Sequence, residues 1–102
     1  MTKYLERWNA EHAPTEAELT ASLEKMGYRV SRYVYPPGTR FPDHDHSIDK
    51  IDAVLSGRFK MIMNGKEVVL GPGDTLSVPR GTMHSAEVLG DEPVISLDAT
   101  KT

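Results

Sequence analysis

The feature that most constrains this chain is its punctuation. From Gly27 onward, short runs of β-branched and aromatic residues alternate with Gly, Pro and Asn turn signals, at a spacing of roughly eight to twelve residues. Tyr28–Tyr35 is stopped by Pro36-Pro37-Gly38, and Ile51–Leu55 ends at Ser56-Gly57. Arg58–Met63 meets Asn64-Gly65, and Lys66–Leu70 returns. Asn-Gly marks a hairpin because a type I′ turn demands positive φ at both central positions. Gly71-Pro72-Gly73-Asp74 leads into Thr75–Val78, Pro79-Arg80-Gly81 into a strand beginning near His84, and Gly90-Asp91-Glu92-Pro93 into Val94–Leu97. Strands this short and evenly spaced predict an all-β sandwich or barrel of antiparallel strands. With 102 residues and no low-complexity linker or repeat, the chain forms one domain.

The segment before the strands reads differently. Residues 3–10 are expected to form a short helical turn carrying Tyr4, Leu5 and Trp8. Pro14, then Thr15 with Glu18 three residues on, gives a capping box, in which each side chain satisfies a backbone N–H at the helix start. Leu19, Leu23 and Met26 share one helical face and Gly27 is placed to end the helix, so the spacing predicts a helix over 16–26, packed on the chain's own core.

Charge and composition narrow the function. Twelve basic and fifteen acidic residues leave a net charge of −3 without a basic block, which argues against a nucleic-acid partner. No long uncharged tract is present to span a membrane. The start, Met1-Thr2-Lys3-Tyr4-Leu5-Glu6-Arg7, has an early acid and no apolar run, unlike a secretory signal, so a cytoplasmic location is expected. The absence of cysteine excludes disulfides, thiolate metal sites and thiol catalysis together.

The chemistry is carried by histidine. His44 and His46, one residue apart in a segment that reads as strand, are expected to present their imidazoles to one side, which makes half of a metal site. Asp43 and Asp45 alternate with them and are expected to face solvent. His84 follows a tight Pro79-Arg80-Gly81 turn that delivers it to a definite place at the start of a strand. His12, in the polar segment before the helix, has no such setting.

In these two stretches the chain resembles the cupins, a family of small jelly-roll barrels. Their first motif runs Gly, five residues, His-x-His, three or four residues, Glu, six residues, Gly, and Gly38, His44, His46 and Gly57 fall on it. The second runs Gly, five residues, Pro-x-Gly, two residues, His, three residues, Asn, and Gly73, Pro79, Gly81 and His84 fall on that. The resemblance covers residues 28–98, after a helical N-terminal segment at 1–27. It implies a jelly-roll barrel in which His44, His46 and His84 bind one divalent transition metal: iron, manganese, nickel, zinc or copper. It also implies a homodimer that acts on, or binds, a small molecule. A metal-dependent oxygenase, isomerase or lyase for a small polar molecule is the first expectation, and a sugar-like binding or sensing module without turnover is the alternative.

The chain departs from the pattern at two places. Val88 stands where the second motif has Asn, and Lys50 stands where the first has its ligand Glu. Lys50 is therefore the candidate catalytic residue, with general-base or even ligand character. It is expected to pair with Asp52, one pleat along on the same face of its strand. Asp49 falls in the preceding turn. Tyr33, Phe41, Phe59, Met61 and Met63 are expected to fill the barrel, while Arg40 and Arg80 flank the motifs where an anionic substrate could meet them.

Overall fold

A computed structural model describes residues 4–102. The chain order is β1 (Leu5–Glu6), α1 (Glu16–Lys25), β2 (Tyr28–Tyr35), β3 (Arg40–His44), β4 (Lys50–Ser56), β5 (Arg58–Met63), β6 (Lys66–Leu70), β7 (Thr75–Val78), β8 (His84–Leu89) and β9 (Val94–Lys101). They make two facing antiparallel sheets, β1-β7-β4-β9-β2 and β3-β8-β5-β6, which is the jelly-roll arrangement. The Asn64-Gly65 hairpin forms as its dipeptide dictates, with φ of 54° and 75° at the two positions. Gly57 turns β4 into β5 with φ at 89°, and a Cβ there would lie 2.5 Å from the Pro93 carbonyl oxygen, so only glycine fits.

Strand parity divides the buried residues into two groups. Val54, Phe59, Met61, Met63, Leu70, Leu76, Val78, Val88 and Val94 fill the space between the sheets. Ile51, Ala53, Leu97 and Ala99 point to the other side of the five-stranded sheet and are covered by Leu19 and Leu23 of α1. The capping box forms as expected: Thr15 Oγ1 accepts from Glu18 N at 3.1 Å, and Thr15 N donates to Glu18 Oε1 at 3.0 Å. Full burial of a leucine contributes about 1.5–3 kcal/mol. The helix is therefore a lid on its own barrel.

Three expectations about elements need correction. The stretch at 3–10 is not helical: Leu5–Glu6 is a strand whose Leu5 and Glu6 face Leu76 and Thr75 of β7, while Met1–Lys3 lie outside the described residues. The open edge of β7 supplies backbone partners that a single helical turn, costly to nucleate, does not. Arg7 and Trp8 then bind the buried Asp74, whose Oδ2 lies 2.8 Å from Arg7 Nη1 and whose Oδ1 accepts from Trp8 N at 2.9 Å. Next, the last strand does not stop at Leu97, nor the barrel at residue 98. β9 continues to Lys101 because β2 and β4 pair with it on both sides, Tyr28 facing Lys101 and Lys50 facing Thr100. Finally, Tyr33 is not core. It is 46% exposed on edge strand β2, stacked on Tyr35 with ring centroids 6.1 Å apart.

Candidate metal centre

The histidines are brought together by turns as much as by strands. His44 ends β3 and sits directly opposite His84, the first residue of β8. His46 lies beyond the end of β3, so strand alternation is not what aligns the His-x-His pair. Instead, Gly81 N donates to the His46 carbonyl oxygen at 2.8 Å, and Arg80 N donates to Asp49 Oδ1 at 2.9 Å. The Pro79-Arg80-Gly81 turn, closed by Thr82 N to Pro79 O at 3.1 Å, thus clamps the loop that carries His46. The turn that delivers His84 and the loop that delivers His46 are one hydrogen-bonded unit. Asp43 and Asp45 are exposed, as expected, although Asp45 too lies beyond the end of β3.

The three imidazoles offer ligand nitrogens that all lie within 4.8 Å of one another. Ring centroids are 4.2 Å apart for His44 and His84, 4.8 Å for His44 and His46, and 5.2 Å for His46 and His84. His44 Nδ1 is 2.7 Å from the Pro42 carbonyl oxygen, and His84 Nδ1 is 2.9 Å from that of Thr82. A carbonyl can only accept, so both Nδ1 atoms carry hydrogen and both Nε2 lone pairs are left for another partner. Burial holds His46 and His84 below the usual imidazole range, helped by the Lys50 charge and the neighbouring rings. Neutral, oriented imidazoles are the form that binds a metal. The donor set therefore fits a divalent transition ion, and thiolate sites are excluded because the chain has no cysteine.

The histidines open onto a cavity of about 200 Å³ between the sheets. One wall is apolar, made by Phe41, Phe59, Met61 and Ala86; the other is ionisable, made by Lys50, Asp52, Asp98 and Tyr35. Phe41, Phe59 and Met61 are thus both core and cavity lining. Neither Arg40 nor Arg80 lines the cavity. His12 is remote from the cluster, 2.8 Å from Glu18 Oε2 at the helix entrance.

The expected Lys50–Asp52 pair is not formed. Lys50 Nζ lies 2.8 Å from Asp98 Oδ1 and 3.0 Å from Asp98 Oδ2. Asp98 is directly opposite Asp52 across the β4–β9 ladder, so the lysine reaches a carboxylate on the next strand rather than the one on its own. Burial, then the charge and the hydrogen bond of Asp98, push the Asp52 carboxyl up to about 7 against the pull of Lys50. Burial and the two aspartates likewise push the Tyr35 phenol up to about 12, with Ser96 in hydrogen-bonding contact. Asp98 and Tyr35 are functional candidates absent from the sequence reading. The available signal is the alternation Val94-x-Ser96-x-Asp98, which sets two polar residues on one face of a strand whose other face carries Ile95 and Leu97.

Residues 31–100 match the cupin domain family. The chain is a cupin. This cupin is 41% identical over 63 residues to the bifunctional lysine-specific demethylase and histidyl-hydroxylase NO66 of Branchiostoma floridae, a match covering 58% of this chain and 10% of that protein. It is 41% identical over 51 residues to quercetin 2,3-dioxygenase of Bacillus subtilis (strain 168), covering 49% of this chain and 15% of the relative. The cupin thus spans only a small part of either curated relative. Among solved structures it resembles the DMSP lyase DddQ from Ruegeria pomeroyi DSS-3, with a TM-score of 0.62 and 30% identity over 72% of this chain and 38% of that one.

Proposed function

We propose that this cupin holds one divalent transition metal on His44, His46 and His84 and is an enzyme acting on a small polar molecule bound in the adjoining cavity. The observation that carries this reading is the locking of two imidazoles by their own backbone carbonyls, which leaves Nε2 lone pairs converging with His46 on one point. A bound metal would supply Lewis acidity and, if redox-active, oxygen chemistry. The chain's own residues do the rest. Phe41, Phe59 and Met61 exclude water and shape the site for a small molecule, and the ionisable wall faces its polar end. Lys50, at the position where the family motif has Glu, directs its ammonium at Asp98 and so stands as a neutralised pair beside the histidines. Its role is to hold that carboxylate in place. That the similar proteins include a dioxygenase, a hydroxylase and a lyase supports an oxygenase or lyase over a passive container.

The test is metal content of protein purified without a histidine tag, followed by oxygen uptake and product analysis on a panel of diketones, thiols and phenols. Near-stoichiometric metal with turnover of a panel compound is the expected result. Metal-free protein that nonetheless binds a sugar would replace the enzyme by the sugar-like binding module, a reading that the paired charges on the polar wall favour.

We also propose a homodimer. β2 is an eight-residue edge strand with Tyr33 46% and Val34 51% exposed, an edge of the kind that proteins cover. A dimeric mass by light scattering at micromolar concentration is expected, and a monomeric mass refutes it.

A further inference from the structure

The ionisable wall carries more negative charge than its one cation can balance. Asp52 and Asp98 are opposed across β4 and β9 and both line the cavity, with Lys50 the only ammonium on it among the described residues. Lys50 Nζ donates to Asp98 Oδ2 at 3.0 Å, whereas Asp98 Oδ1 is buried, in ion-pair contact with the same nitrogen at 2.8 Å, and accepts no well-aligned hydrogen bond among the described residues. Buried polar atoms without partners are rare and costly, and two carboxylates in contact cannot both stay ionised without help. The other groups facing Asp52 do not supply it. Across the cavity are the neutral His46 and His84 and the third imidazole of His44; on β2 is the phenol of Tyr35, with Tyr33 beyond; the β7 residues opposite Asp52 and Lys50 are Leu76 and Val78.

Building on the metal-enzyme reading, we propose that Asp52 and Asp98 hold a single proton between them, braced by Lys50, and that this pair is the cavity's proton donor and acceptor, facing a molecule bound against the three histidines. The shared proton gives the carboxyl contact the donor it otherwise lacks. In use, the Asp52 O–H bond breaks as the proton passes to a substrate oxygen that gains negative charge. Asp52 is left as carboxylate, its electron pair retained, and the pair regains a proton from water or from an acidic hydrogen of the substrate. The substrate class this arrangement suits is a small molecule whose reacting carbon bears an oxygen: a carbonyl compound or hydroxy compound small enough for about 200 Å³. The arrangement is a proton-sharing dyad with a built-in counter-ion. Asp52 is the catalytic residue, and Asp98 and Lys50 are positioning residues.

Infrared difference spectroscopy of the metal-free protein, titrated from pH 4 to 9, reads the carboxyl proton directly. A protonated-carboxyl band that persists above pH 5 and vanishes in Asp52→Asn is the expected result. Asp98→Asn should lower its midpoint, because the repelling charge is gone and Lys50 is free to reach Asp52. Lys50→Met should raise it. Loading Ni²⁺ should lower the midpoint in the wild-type protein, since a dication across the cavity favours carboxylate. Loss of the band already below pH 5, or a midpoint unmoved by Asp98→Asn, overturns the shared proton. A midpoint unmoved in protein shown to have bound Ni²⁺ overturns its placement facing the histidines. Failure to bind Ni²⁺ at all would sink the metal-enzyme reading instead, while the metal-free titration still decides the dyad.

Discussion

Strands β4 and β9 present two faces with opposite logic. On the outer face, Ile51, Ala53, Leu97 and Ala99 meet Leu19 and Leu23 of α1, and every one of these side chains is buried and apolar. On the inner face, one residue out of step, Lys50, Asp52, Ser96 and Asp98 line or border a cavity. The same few backbone hydrogen bonds carry both. The outer face adds stability by burial, independent of pH. The inner face gathers groups that would be better solvated in water, and it holds them there through mutual pairing. A chain that needed only to fold would place leucine or valine at 52 and 98. Their presence beside three converging imidazoles is what makes this end of the barrel the candidate site.

That contrast can be broken from either side. The largest effect is expected on the outer face: Leu23→Ala or Leu97→Ala should lower stability by about 2–5 kcal/mol at every pH, without changing the metal bound per folded molecule. Denaturant unfolding at pH 5 and pH 8 checks this, and a strong pH dependence of the loss would show that the two faces are coupled. On the inner face the sign depends on pH. The Asp52 carboxyl sits at about 7 in the folded protein against a reference of 3.8, so its contribution is present at low pH and is lost as pH rises from about 4 through about 7. Asp52→Asn should therefore leave stability unchanged near pH 4 and raise it by ~1–3 kcal/mol at pH 8. The lowered histidines act in the opposite direction, their contribution being lost as pH falls below the usual imidazole value, so the difference between variant and parent is the quantity to read.

Smaller effects follow. Thr15→Ala removes the cap of the helix that covers the outer face and should cost about 1 kcal/mol. Breaking the exposed Arg32–Glu16 pair, 3.1 Å apart on the same side, should cost well under ~1 kcal/mol by thermal unfolding.

Legibility in the sequence followed the range of the interactions. Turns are local, so Asn64-Gly65, Ser56-Gly57 and Pro79-Arg80-Gly81 announce where strands begin and end, whereas the approach of His84 to the His44–His46 stretch is implied only by the resemblance to the cupins. The capping box at Thr15 and Glu18 was visible for the same reason. Partnerships across strands were not. Nothing near Lys50 in the chain says that β9 lies beside β4 with Asp98 opposite Asp52, so sequence alone pairs the lysine with the nearest acid on its own strand. Leu5–Glu6 reads as helical in the sequence because its partner, the edge of β7, is some seventy residues away, Leu5 facing Leu76. His44 and His46 were expected to converge by strand alternation, and they do converge, but through a clamp between Gly81 and His46 that no periodicity encodes.

The central claim is that three turn-positioned histidines hold one metal. It is tested most directly by elemental analysis of His44→Ala, His46→Ala and His84→Ala beside Asp45→Ala, each purified untagged and reloaded with Ni²⁺ under one condition. Loss of any histidine removes a ligand and the chelate geometry together, so each of the three variants should retain only a small fraction of the parent's metal, while Asp45→Ala, altered at an exposed position, should match the parent. Equal metal in all four variants would contradict the account.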